Sequence, residues 1–201
     1  MGAVYKYAAQ YLDQLGPGKF IEIGTSRNGD DGSTRVLSEW ATQYGRQLTT
    51  IDMDPTNCNL VASWALPNTT VVNSTGEQFL QDFPKHTDYI SLLYLDNFDW
   101  DWHPQNTPDF IRNQQSRYAE LGLTMNNVNS QAAHLQQMCY ALPAMSPKSI
   151  VICDDTWYNK WWGHYSGKSG AVIPLLLNNG FTVAYTEEQP VYGTILTRGI
   201  I

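Results

Sequence analysis

Lys19-Phe20-Ile21-Glu22-Ile23-Gly24-Thr25-Ser26-Arg27-Asn28-Gly29-Asp30-Asp31-Gly32-Ser33-Thr34 is a short apolar strand that runs into a polar, glycine-rich loop and out into a helix. The helix is read over 34–44, where Val36, Leu37, Trp40 and Ala41 recur at helical spacing. Glycines let the loop backbone pass close to a ligand, and Ser33 or Thr34 can cap the helix.

Outward from this unit the alternation continues. Upstream, Val4, Tyr7, Ala8, Tyr11, Leu12 and Leu15 predict a helix over 3–15, stopped by Gly16-Pro17-Gly18. Downstream, strands are expected at 48–52, 70–72, 89–95 and 149–153, with helices at 57–64, 77–82, 131–142 and 171–177. A last pair of strands, 181–185 and 193–197, is joined by a short loop and reads as a hairpin. Together these give a doubly wound α/β domain: a mostly parallel seven-stranded sheet, helices on both faces, and an antiparallel hairpin at one edge. One domain spans 1–201, with an insertion at about 98–130 that is too long for an ordinary connection and is expected to form a substrate lid or wall.

Composition narrows the function. With 12 Lys and Arg against 19 Asp and Glu, the formal charge is -7, which disfavours a partner held by its phosphate backbone, so no nucleic acid is expected. No apolar run approaches the roughly 18 residues needed to span a bilayer, and no basic-then-apolar leader comes first. Cys58, Cys139 and Cys153 lack CxxC spacing, and the last two stand in apolar surroundings. A reduced, cytoplasmic protein without membrane contact is the expectation, with a homodimer the prior for such folds.

In open α/β sheets ligands sit beyond the carboxyl ends of the strands. Asp52 ends one strand, 28 positions after Gly24, where a carboxylate can accept both hydroxyl hydrogens of a ribose. The first loop lacks the G-x-G-x-x-G of a pyrophosphate site, and its Asp30 and Asp31 would repel phosphates, so a cofactor without phosphate fits better. Asp96 and Asp154-Asp155 end two further strands. If these are neighbours, about 4.8 Å apart, their acids can converge on one ion, and oxygen-only ligands favour Mg²⁺, with Mn²⁺ or Ca²⁺ as alternatives.

At Glu22-Ile23-Gly24 the chain resembles the class I S-adenosylmethionine-dependent methyltransferases, whose first motif is an acidic residue before a Gly-rich loop. It is most similar to the metal-dependent O-methyltransferases of the catechol and caffeoyl-coenzyme A kind, with macrocin-type and cephalosporin-hydroxylase-like relatives. The resemblance implies a Rossmann-like fold. It implies that Glu22, Gly24, Thr25 and Ser26, with Ser33 beyond the loop, serve the amino-acid part of S-adenosylmethionine. Asp52 and Met53 would serve the ribose, Gly76 and Glu77 the adenine, and Asp96 and Asn97 would lie beside the cofactor. It further implies a metal held by Asp96, Asp154 and Asp155, with Asp155 where the family has Asn, and methyl transfer to an oxygen held by the ion. Where the catechol branch carries a basic Lys, this chain has Asp99; by residue type Asp99, His103, His134, His164 and Lys168 can all accept a proton, and Asp99 or His134 is taken as the acceptor.

The aromatic run 98–103, the amide-rich run 126–131 and Trp157, Tyr158, Trp161 and Trp162 suit a polar ring such as a sugar or a hydroxylated aromatic. Gly163, Gly167 and Gly170 around Lys168 suggest a mobile flap. The expected function is S-adenosylmethionine-dependent O-methylation of a small polar molecule or sugar hydroxyl, assisted by a divalent metal. Two rivals stay open: a metal-free class I methyltransferase, and a non-catalytic binding protein on the same fold.

Overall fold

The computed structural model describes residues 3–27, 32–85, 87–187 and 193–200. Asn28, Gly29, Asp30 and Asp31, on which the phosphate-repelling reading rests, lie outside the described residues. Seven strands form one sheet: β1 (Lys19–Ile23), β2 (Leu48–Asp52), β3 (Thr69–Asn73), β4 (Ile90–Leu95), β5 (Met145–Asp154), β8 (Thr182–Thr186) and β9 (Gly193–Arg198), in the order β3-β2-β1-β4-β5-β9-β8. Strands β6 (Thr156–Asn159) and β7 (His164–Gly167) form a separate antiparallel hairpin. Every pairing from β3 to β5 is parallel, whereas β9 runs antiparallel to both β5 and β8. This is the mostly parallel sheet with an antiparallel edge that the sequence implied.

Buried on both faces, the central strands read as continuous apolar runs. Their alternate residues feed two cores. Ile21, Ile23, Leu93, Leu95 and Val151 point to one, with residues of α4 (Gly76–Asp82), α6 (Asn127–Ala141) and α7 (Val172–Leu177). Phe20, Leu92, Tyr94, Ile150 and Ile152 point to the other, against α1 (Ala3–Ala8) and α2 (Ser33–Gln43). Leu93, fully buried, is the kind of residue whose truncation to Ala costs about 2–5 kcal/mol.

Helix starts follow the caps. Asp54 accepts the Thr56 N–H and precedes Pro55 to open α3 (Pro55–Ser63), Thr75 accepts the Gln78 N–H to open α4, and Asn126 accepts the Asn129 N–H to open α6. That last cap starts α6 four residues earlier than the apolar pattern suggested. The helix expected over 3–15 is α-helical only to Ala8 and continues as a 3₁₀ turn to Gln14. Within the insertion lies a helix that apolar spacing did not disclose, α5 (Asp109–Glu120), which buries only Ile111 and Tyr118. Cys58 and Cys153 are buried free thiols, but Cys139 is exposed on α6, contrary to its apolar sequence surroundings. Among the described residues no helix is long and apolar enough to cross a membrane.

Sheet order reverses between β1 and β4, where the chain leaves for β2 and later returns. Across β2, β1, β4 and β5 the register aligns Ile51, Ile23, Leu95 and Cys153 in one row. The next residue on each strand is Asp52, Gly24, Asp96 or Asp154. One row of hydrogen bonds thus delivers four expected site positions to the same edge.

Candidate cofactor and acid site

A cavity of about 460 Å³ opens at that edge, within the usual range for small-molecule sites. Gly24, Thr25, Ser26, Ser33, Asp52, Met53, Gly76, Glu77, Asp96 and Asn97, ten of the eleven residues expected to bind the cofactor, line it. The eleventh, Glu22, does not.

Gly24 adopts φ +93°, and a Cβ there would lie 2.6 Å from Asn97 N and 2.7 Å from the Asp96 carbonyl carbon. Only glycine lets the β1 and β4 exits meet this closely. Glu22 is fully buried behind the loop. Its Oε2 accepts from the Thr34 and Thr50 hydroxyls at 2.7 and 2.6 Å, and Thr34 Oγ1 in turn accepts the Ser26 N–H at 2.8 Å. Burial, only partly offset by these hydroxyls, raises the Glu22 pKa to about 7. The acid therefore shapes the loop from beneath.

Asp52 holds its own loop: Oδ1 accepts the Asp54 N–H at 2.7 Å, and Oδ2 accepts the Thr25 N–H at 3.2 Å. Asn57 Nδ2 also donates to Oδ2, at 3.4 Å, and since a carboxylate has about four lone-pair sites, about one remains for a hydroxyl in the cavity. Burial raises its pKa. Asn97 lines the cavity, while its Oδ1 is buried and has no hydrogen-bond partner.

The acid cluster forms as the strand order required. Asp96, Asp154 and Asp155 each offer a carboxylate oxygen, and these oxygens lie within 4.8 Å of one another. Their donor chemistry suits Mg²⁺. The cluster also holds a cation of its own: Lys168 Nζ donates to Asp96 Oδ1 at 2.8 Å and pairs with Asp155 Oδ2 at 2.9 Å, with 3% of its side chain exposed. Burial alone would lower the Lys168 pKa, but the surrounding carboxylates, Asp96 first, raise it well above normal. Burial first, then Asp96 and Asp155, raise that of Asp154. Of this group Asp96 and Asp154 line the cavity.

Neither expected proton acceptor is a free group facing the cavity. Asp99 lines it, but both of its oxygens accept from Arg27, at 3.1 and 2.7 Å. His134 is fully buried and is not among the lining residues. Its Nε2 lies 2.7 Å from the Asn97 carbonyl and its Nδ1 2.6 Å from Ser169 Oγ. A carbonyl only accepts, so Nε2 carries the hydrogen and Nδ1 accepts from the Ser169 hydroxyl. Burial, aided by Lys168, lowers its pKa to about 4, which keeps this neutral tautomer. His134 ties α6 to the β4 exit.

The insertion supplies Phe98, Gln114, Arg117, Tyr118 and Leu123 to the cavity wall. Arg117 Nε and Nη2 reach the Asp54 carboxylate at 2.7 Å each, across 63 positions, and lower the Asp54 pKa to about 2. Phe98, Ile111, Tyr118, Met125 and Ala133 make a third, smaller core. The tryptophans lie elsewhere: Trp157 stacks on Trp102 with 4.8 Å between centroids, and Trp161 and Trp162 are 92% and 73% exposed at the tip of the β6-β7 hairpin. Aromatic lining comes instead from Tyr5, Tyr94, Phe98 and Tyr118, with the Tyr5 and Tyr94 hydroxyls 3.0 Å apart. Nor is the Lys168 segment arranged as a flap. Gly167, at φ +90°, packs so closely that a Cβ would strike the Asp155 carbonyl.

Sequence comparison adds nothing further, since no family model and no curated protein matches the chain. Structure comparison does. The O-methyltransferase NovP aligns over 96% of this chain and 79% of its own, with TM-score 0.58 and 10% identity. A candidate rRNA methylase from Clostridium thermocellum aligns over 100% and 99%, with TM-score 0.55 and 11% identity. The N-methyltransferase NodS from Bradyrhizobium japonicum WM9, in complex with S-adenosyl-L-homocysteine, aligns over 98% and 85%, with TM-score 0.51 and 10% identity. At such identities the likeness is one of fold, and the fold is the Rossmann-like one of the class I S-adenosylmethionine-dependent methyltransferases.

Proposed function

We propose that the chain is an S-adenosylmethionine-dependent methyltransferase acting on a hydroxyl of a small polar molecule or sugar. The observation that carries this reading is the cavity at the sheet reversal, which unites a glycine cradle at Gly24, the Asp52 carboxylate and Asn97. These groups fit S-adenosylmethionine: Asp52 for a ribose hydroxyl and Gly24 to Ser26 for the amino-acid part, with Asn97 beside them. When bound, that cofactor supplies an electrophilic methyl on a sulfonium.

The chain's part is mainly orientation, since an oxygen nucleophile held in line with the methyl needs little else. The hydroxyl proton passes to a carboxylate of the Asp96–Asp154 pair, the two acids of the cluster that line the cavity. Arg27, held by Asp99, and Arg117, held by Asp54, bring the 98–130 segment over the cavity, where it excludes water. The net charge of -7 favours a small acceptor over RNA.

Calorimetric titration of S-adenosylmethionine tests the reading. Wild type should bind, and Asp52→Ala should lose about tenfold or more in affinity, the scale of a lost charged hydrogen bond. A wild type that does not bind S-adenosylmethionine overturns the proposal.

A further inference from the structure

The acid cluster raises a question that the cofactor cavity does not answer, namely which cation it holds. Three acids at adjacent strand ends stay ionised together only beside positive charge, since burial and their mutual repulsion otherwise favour protonation. A divalent ion is one solution, and a buried ammonium is another. We infer that Lys168 is the resident cation of the Asp96–Asp154–Asp155 cluster and takes the place that a divalent metal would otherwise fill.

Geometry supports this at three levels. The ammonium lies against two of the three acids, with Asp96 Oδ1 at 2.8 Å, Asp155 Oδ2 at 2.9 Å and the Asp96 carbonyl at 3.4 Å. A metal would have to compete for the oxygens that already hold it. The backbone beneath is fastened on both sides: Lys168 N–H donates to the Asp155 carbonyl at 3.0 Å, Ser169 N–H donates to Thr156 Oγ1 at 3.0 Å, and the Gly167 carbonyl accepts from Gln131 Nε2 at 3.0 Å. Gly167 makes the approach possible, because any Cβ there would collide with the Asp155 carbonyl and the Trp157 ring. Finally, Ser169 is linked through His134 to the Asn97 carbonyl, so the pairs Asp96-Asn97 and Lys168-Ser169 are joined twice, once by charge and once by the imidazole. Lys168 is therefore a built-in counterion on a fixed hairpin. It is not a surface side chain that an arriving ion could displace into solvent.

This inference rests on the methyltransferase reading only for its consequence in turnover, which is that an acceptor is oriented by protein groups and not by chelation. Ion binding and S-adenosylmethionine binding are titrated separately, so either can fail alone. The probe is Mn²⁺, followed by its electron paramagnetic resonance in chelator-treated full-length protein. Wild type should leave the signal that of the free aquo ion at millimolar Mn²⁺. Lys168→Met should take up one Mn²⁺ per chain, and Lys168→Met with Asp96→Asn should lose it again. Stoichiometric binding by wild type that vanishes in Asp154→Asn overturns the inference, and so does a folded Lys168→Met that binds none. Should that variant not fold, the wild type still decides. The buried Lys168 ammonium should give a slowly exchanging ¹⁵N resonance that excess Mg²⁺ leaves unmoved, and its loss on adding Mg²⁺ overturns the inference.

Discussion

Thr34 Oγ1 donates to Glu22 Oε2 at 2.7 Å and accepts the Ser26 N–H at 2.8 Å, so the acid under the first loop acts on it through a hydroxyl. Thr50 also donates to Glu22 but makes no such link to the loop.

The two threonines should therefore separate structure from binding. Thr34→Val and Thr50→Val each remove one hydrogen bond to a buried carboxylate and should cost about 1.5–3 kcal/mol of stability. Only Thr34→Val also frees the Ser26 N–H. It should weaken S-adenosylmethionine binding by about tenfold, while Thr50→Val stays near wild type in the same titration. Equal losses of affinity would show that the loop does not depend on Thr34.

Glu22 and His134 give pH dependences of opposite sign. Glu22, raised from 4.5 to about 7, binds its proton more tightly folded than unfolded. Its contribution is full below the unfolded pKa and is lost as pH rises through about 7, a change on the order of 3 kcal/mol. Glu22→Gln should flatten that part of the melting-temperature profile between those two values. His134, lowered from 6.5 to about 4, contributes stability above the unfolded pKa that is lost as pH falls towards about 4. Its ring carbon proton, followed by NMR, should titrate well below an ordinary histidine. A midpoint near 6.5 would contradict the buried neutral tautomer.

Gly24→Ala should be among the costliest single-methyl additions in the chain. It demands φ +93° of an alanine and sets a Cβ 2.6 Å from the Asn97 nitrogen. A loss of about 3 kcal/mol corresponds to a fall of roughly 6–12 °C in melting temperature. Gly45→Ala is the control. It shares a positive φ, +62°, but has nothing within 4 Å of the added Cβ, so it should cost roughly 1 kcal/mol. Matching losses would mean that the β1–β4 contact is softer than its geometry.

Arg117→Met should loosen the insertion without disturbing the sheet. It removes both contacts to Asp54 and one to Glu120 but keeps an apolar stem against the cavity wall. Amide exchange should quicken in 109–120 and S-adenosylmethionine should dissociate several-fold faster, with exchange in β4 and β5 unchanged. If dissociation is unaltered, the insertion does not gate the cavity.

Much of this was legible from residue order because strand ends in a parallel sheet fall in one row. Reading Gly24, Asp52, Asp96 and Asp154 as the residues after apolar runs was enough to place them together. The apolar patterns gave the sheet for the same reason, since a strand buried on both faces has almost no polar residue to blur its limits. What stayed hidden depends on long-range pairing. Lys168 meets Asp96 across 72 positions, and Arg27 meets Asp99 across another 72. No local pattern reports such contacts. Helix α5 was missed because Asp109–Glu120 buries so little that its apolar period is nearly absent, and its anchor, Arg117, is a charge. Residue type alone makes His134 a candidate base, and it does not report the burial or the contacts of both ring nitrogens, with Ser169 and the Asn97 carbonyl.

The third core has a consequence for how this protein can change. Phe98, Ile111, Tyr118, Met125 and Ala133 pack mainly on one another, and all but Ala133 belong to the insertion. None of them belongs to the two large cores that hold the sheet. This part of the cavity wall thus has a cohesion of its own. On the proposed function, its sequence can drift towards a new acceptor while the residues set by the strand row stay as they are.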